Sequence, residues 1–512
     1  SDLRQDLFAK VQKFSFKNID DFSAGSLVTR LTNDIQQVQN VTMMGLRMMF
    51  RAPGMMIGAL IMAFIMNPRL AVIILIVIPL LTLAIVTILR TAFPRFQVVQ
   101  KAIDTLNNGI QEALTNVRVI KSFVREDYEE AKFKKANRSL KDASMGALNI
   151  VIMTMPVMML AMNITTLAVV WYGGNIIIAG DMQVGDLTAF TTYIVQILMS
   201  LMMLSMVFLQ SSRAMASVKR INEVMDVEID LTDECSGHKE KEVTEGRVEF
   251  RNVCFSYQTD RQKNTENLSK KPENLSKKPE NLVLDHLNFT ALPGQTIGII
   301  GATGSGKTTL VQLIPRLYDV TGGQVLVDGM DVREYSLKHL RNGVGMVLQK
   351  NVLFSGSIEE NLRWGAEEAS MEELRQAADS AQADGFITAF SKGYQSEIDQ
   401  GGSNVSGGQK QRLCIARALL KAPKILILDD STSAVDTATE AKIRECFRTS
   451  LKDTTKFIIA QRISSVEDAD QILVLDDGKI AAMGTHQELL KTCEPYQEIY
   501  YSQREREKEV SA

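Results

Sequence analysis

The sequence predicts an all-α membrane-spanning domain followed by an α/β phosphate-loop domain. Three observations carry this. Long uncharged runs dominate before about residue 215, and charged and apolar residues mix after it. Gly301-Ala302-Thr303-Gly304-Ser305-Gly306-Lys307-Thr308 is a glycine-rich phosphate loop. Downstream, Ser406-Gly407-Gly408-Gln409 precedes a buried-strand pattern ending in two acids, Ile425-Leu426-Ile427-Leu428-Asp429-Asp430. At 512 residues the chain exceeds one compact domain. The expected divisions are a membrane domain over 1–222, a linker over 223–246, a nucleotide domain over 247–502 and a charged tail over 503–512.

The spans come first. Leu70 to Leu89 is twenty residues without a charge, about 30 Å as a helix, which crosses a hydrocarbon core. Ala143 to Gly180 and Leu187 to Ser212 are likewise uncharged. Ala52 to Asn67 is shorter and extends back towards Thr42 if Arg47 and Arg51 face protein or the interface. Four spans result. Eleven Lys and Arg lie between Arg90 and Lys141, one in Asn67-Pro68-Arg69 and none from Gly173 to Asp186. The basic loop is therefore expected in the cytoplasm, and four spans return the chain there. Phe8 to Gln39 and Ile103 to Lys141 read as largely helical, as surface helices or as membrane helices running on into the cytoplasm. Pro79 and Pro156 are expected kinks. The dense methionines, among them Met43, Met49, Met158, Met159 and Met199, fit either ordinary apolar packing or a pliant cargo cavity.

Composition excludes some classes. A net charge of -3 gives no electrostatic reason to expect nucleic acid. The five cysteines match neither zinc pairs nor a disulfide framework, so reduced thiols are expected. The chain opens on polar Ser1-Asp2-Leu3-Arg4, and no signal peptide is expected.

In the second half, Thr296 to Ile300 reads as a buried strand running into the phosphate loop, with a helix opening around Thr309. Backbone N–H groups then converge on phosphates. Lys307 would reach the terminal phosphates, Thr308 would ligate magnesium, and Asp429 would hold the magnesium shell. Nucleotide binding with four spans upstream implies nucleotide energy coupled to a membrane.

With these motifs in place, the chain resembles one half of an ATP-binding cassette (ABC) exporter of the multidrug type, over nearly its whole length. The resemblance implies a transport ATPase using ATP and Mg2+ in a plasma (inner) membrane, moving small amphiphilic molecules among membrane lipids. It implies six membrane helices per half; this chain would carry four, starting within the first cytoplasmic loop. Tyr257 would stack on adenine, Gly301 to Thr309 would cradle ATP, and Gln349 would join Thr308 at magnesium. Ser406, Gly407, Gly408 and Gln409 match the signature that completes a partner's site. Ser433, Ala434 and Asp436 match the loop that crosses between two cassettes. Segments around Phe14 to Gly25 and Arg125 to Phe133 resemble coupling helices.

The signature carries Val405 for the usual leucine, and two positions at the nucleotide site depart from the family. Asp430 stands where a glutamate would orient the attacking water. One methylene less leaves it about 1.5 Å short, and misplacement of that order costs about a hundredfold in rate. Gln461 stands where a histidine would contact the terminal phosphate, and it carries no charge. The expectation is a heterodimer. Its partner half supplies glutamate and histidine to a competent site, while this chain's own loop turns ATP over slowly. Lipid or peptide export and an ATP-gated channel are the alternatives. A repeat, Glu266 to Pro272 and again Glu273 to Pro279, marks an inserted solvated loop over 266–282.

Overall fold

The computed structural model describes residues 2–233, 240–257, 282–431 and 434–511. The inserted repeat up to 281 and Ser433 lie outside the described residues. The chain divides into two compact units: Ser1–Lys10 with Gly25–Asp226, and Val11–Ala24 with Val227–Ala512.

The first unit is helical. Among the described residues, four helical stretches are long and apolar enough to cross a membrane: Ala24–Met66, Pro68–Thr115, Glu126–Ile178 and Val184–Leu204. Pro68–Thr115 contains one predicted span whole, and each of the other three overlaps one. Pro68–Thr115 has 48 residues, about 72 Å of helix and more than twice a hydrocarbon core. Its start is encoded locally: Asn67 Oδ1 accepts from the Arg69 and Leu70 amides, and Pro68 needs no amide partner at that position. Pro79 lies inside this helix. Pro156 instead sits in the first turn of Thr154–Ile178, just past a break at Met153, where its missing N–H removes no helical bond.

One polar cluster interrupts the apolar packing. The π-helical turn Arg30–Asp34 buries both end residues, and helix Val184–Met225 answers them. Arg220 Nε and Ser217 Oγ each donate to Asp34 at 2.8 Å, and Arg30 reaches Glu223 at 3.1 Å. Such buried charges persist only when paired. Met158 joins the apolar core with Leu70, Leu81 and Phe190, whereas Met43, Met49 and Met159 stay exposed.

The resemblance placed a coupling helix at Arg125 to Phe133. The short helix between the two long ones is instead Val117–Ser122; Glu126 already begins the helix that runs to Ile152. Asn116 leaves helical geometry and Val124 turns back at φ +51, so the chain reverses before the acidic residues that open the next helix.

The second unit contains a six-stranded sheet in the order Lys479–Gly484, Gln471–Asp476, Thr296–Gly301, Thr455–Ile459, Ile425–Asp429, Val344–Val347. All neighbours are parallel except the edge pair at Lys479–Gly484. Ile425–Asp429 is buried at every residue, as a strand covered on both faces must be. A four-stranded antiparallel sheet includes Val248–Phe255 and Leu284–Ala291. The described cysteines, Cys254, Cys414, Cys446 and Cys493, are free thiols.

Candidate nucleotide site

The site forms where parallel strands end. Thr296–Gly301 runs into the phosphate loop, and the loop hands over to helix Lys307–Leu313 at Gly306, whose φ of +93 suits glycine. A Cβ there would also stand 2.7 Å from Leu284 Cδ2. Two strands away, Ile425–Asp429 delivers its acid to the same edge. A cavity of about 630 Å³ opens between these ends. It is lined by the loop from Gly301 to Thr309 without Ser305, and by Gln349, Asp429, Asp430 and Gln461. Crevices beyond the carboxyl ends of parallel strands are where such folds bind ligands.

Each charged group in the cavity is held. Lys307 Nζ donates to the Gly301 and Ala302 carbonyls at 2.8 and 2.7 Å, and burial pulls its pKa below the usual lysine range. Thr308 Oγ1 donates to Asp429 Oδ1 at 3.1 Å. Burial pushes the Asp429 carboxyl up, against the lowering effect of Thr308 and Lys307. Its Oδ2 is buried with no hydrogen-bond partner among the described residues. A hydroxyl beside an orphaned carboxylate oxygen is a donor set that suits a hard divalent cation.

The two departures from the family pattern meet. Asp429 and Ile459 are in register on adjacent strands, so the residues just beyond them are neighbours. Asp430 takes a left-handed φ of +48 and its amide donates to Ile459 O at 3.0 Å. Gln461 Nε2 then donates to Asp430 Oδ2 at 2.7 Å. Burial raises the Asp430 pKa despite that bond and the nearby Lys307, Arg462 and Gln349.

The other predicted residues fall into two groups. Tyr257 does not line the cavity, but its hydroxyl lies 2.9 Å from Thr309 Oγ1, and its ring packs edge-on to Phe255 and Tyr318. Tyr318 in turn donates to Asp20 Oδ2 at 2.8 Å; Asp20 ends the short helix Phe16–Asp20. Burial and that carboxylate hold the Tyr318 phenol well above its usual range. The signature also stands outside the cavity. Ser406 caps helix Gly407–Leu420, Gln409 closes the capping box, and Ser406 and Gly407 are exposed. Ala434 donates its amide to Gln411 Oε1 at 3.0 Å, and Asp436 caps helix Thr437–Ser450 through Thr439. Sequence reasoning missed Ile499 in the cavity wall and Gln503 behind Gln461. Both lie on helix Glu494–Ser511, and no motif marks them.

A helical membrane unit joined to a phosphate-loop fold of this kind defines a membrane transport ATPase. Comparison with known proteins gives the family. The family model for the ABC transporter transmembrane region matches residues 1–201, and that for the ABC transporter matches residues 284–433. The chain is 41% identical to the ABC transporter ATP-binding protein YfiB of Bacillus subtilis, over 99% of this chain and 84% of that protein. It is 32% identical to YgaD of the same organism, provisionally named a multidrug export ATP-binding/permease protein, over 98% and 83%. A solved bacterial Atm1-family ABC exporter with ATP bound superposes with a TM-score of 0.81 at 27% identity, covering 98% of this chain and 84% of that one. The chain belongs to the ABC transporter family, as a half-size exporter with transmembrane and ATP-binding domains, and it is a transport ATPase.

Proposed function

We propose that this chain is the slow-site half of a heterodimeric exporter. Its phosphate loop holds ATP, and its signature completes a competent site on a partner half that brings the glutamate and histidine. The observation that carries the reading is the 2.7 Å hydrogen bond from Gln461 to Asp430. A glutamine amide engaged with a shortened acid offers neither the charge of an imidazolium nor the reach of a glutamate. That bond keeps the carboxylate in the site, but one methylene less leaves it short of where water must be oriented. ATP would be bound and retained at this loop rather than rapidly cleaved.

The roles divide by geometry. The loop amides and Lys307 bind the phosphates. Tyr257, tied to Thr309, presents its ring for adenine. Thr308, Gln349 and Asp429 would hold magnesium, whose charge, when bound, offsets that of the phosphates. Ser406, Gly407, Gly408 and Gln409 present an exposed helix start to the partner's ATP, and Ser433, Ala434 and Asp436 serve the crossing loop. Closure on ATP and release after hydrolysis would drive export of amphiphilic small molecules across the inner membrane, with the exposed methionines as a yielding surface.

The test is ATP hydrolysis by the chain alone and with candidate partner halves co-expressed. Activity that appears only with a partner supports the asymmetric pair. Ordinary transporter rates from the chain alone would sink it.

A further inference from the structure

Gln503 lies past every nucleotide motif, yet its side chain holds the loop that carries Gln461. Its Nε2 donates to Gln461 O at 2.7 Å, and its Oε1 accepts from the Ile463 amide at 2.9 Å. A primary amide has a donor and an acceptor on one edge, so it can pair with the carbonyl of one residue and the N–H two residues on, as a neighbouring strand would. Between these two anchors, the Gln461 side chain reaches Asp430.

The helix that carries Gln503 is itself fixed. Tyr496 is fully buried, with its hydroxyl 2.7 Å from His486 Nδ1, and Cys493 is buried beside it. Gln497 donates to Leu490 O at 2.8 Å. Ile499, one turn before Gln503 and on the same helix face, lines the nucleotide cavity. The same surface of the helix therefore meets both the cavity wall and the loop behind Asp430.

We propose that Gln503 is a positioning residue for ATP hydrolysis, clamping the Gln461–Ile463 backbone so that the Gln461 amide stays aimed at Asp430. This rests on the reading of Asp430 and Gln461 as the groups that set turnover at the chain's own loop. Any movement of the C-terminal helix then reaches the acid through two hydrogen bonds and one side chain.

The experiment uses the full chain in lipid vesicles, in excess over ATP, so that a single turnover at its own loop is followed. Gln503→Met keeps length and helix propensity and removes both hydrogen bonds. Each bond lost should count about fivefold, so the expected result is a rate several-fold to tenfold lower with ATP affinity within twofold. Amide exchange at Ile463 should quicken by at least about fivefold. Gln503→Glu keeps the acceptor for Ile463 and loses the donor to Gln461. It should leave Ile463 exchange slow while still slowing turnover. The proposal is overturned if Gln503→Met turns over like the wild type, or if rate, affinity and thermal midpoint fall together, as a purely structural role would give. Asp430→Glu in parallel separates the two readings. If it leaves the rate unchanged while Gln503→Met slows it, the short reach of Asp430 is not what limits the site, and the clamp stands.

Discussion

The phosphate-loop side and the signature side of this cassette differ in how far they keep the family's chemistry. The phosphate loop is intact, but beyond it Asp430 and Gln461 are bonded to each other. The signature shows no such change. Ser406 and Gln409 form a reciprocal cap, Gly407 and Gly408 leave the helix start bare, and a Cβ on Gly408 would meet Ala434 O at 2.8 Å. On the proposed reading, one side is altered where bonds would break and the other kept where a partner's phosphates would dock. Binding and hydrolysis are separable demands, and a single chain can relax one without the other.

That contrast can be broken most severely from the signature. In a partnered transporter, Ser406→Ala should lower ATP turnover by about 10²- to 10³-fold, the scale of losing one preorganised donor. Asp430→Ala in the same assembly should change turnover less than threefold, being an order-of-magnitude smaller effect on a slow site. Equal losses would erase the asymmetry. Next in size, Asp430→Glu should raise single-turnover hydrolysis at the chain's own loop by about ten- to a hundredfold, because it restores reach.

A smaller effect concerns stability. Asp429 has its folded pKa raised by burial, so its ionised form is penalised. The penalty is complete above the raised pKa and is relieved as pH falls through it. Asp429→Asn should therefore raise the thermal midpoint without nucleotide or magnesium at pH 7, and the gain should shrink on acidification. A constant gain across that range would assign it to something other than charge. Smallest is Tyr318→Phe, which removes the 2.8 Å bond to Asp20. Its cost is about 1 kcal/mol, read as faster amide exchange over Phe16–Asp20 with ATP affinity nearly unchanged.

Much of the site was legible because it is contiguous. The phosphate loop, the strand ending in Asp429 and the capping residues are local patterns whose spacing is their meaning. The pairing of Asp430 with Gln461 was not legible. Both residues stood out singly, but their contact depends on two strands lying adjacent and in register. Helix Val117–Ser122 escaped notice for another reason: its apolar residues look like the end of the preceding helix, and only the geometry at Asn116 and Val124 ends it.

By itself the sequence determined the four helices that, among the described residues, are long and apolar enough to cross a membrane, together with the phosphate loop and the signature pattern, since hydrophobic runs and glycine spacing act along the chain. Only the tertiary structure decided that Gln461 holds Asp430, that Tyr257 reaches Thr309, and that Gln503 backs the loop between. Those contacts join residues 31, 52 and 42 positions apart. Hydrogen bonds at such separations exist only once strand order and helix packing have set their partners within 3 Å, about the length at which such a bond forms.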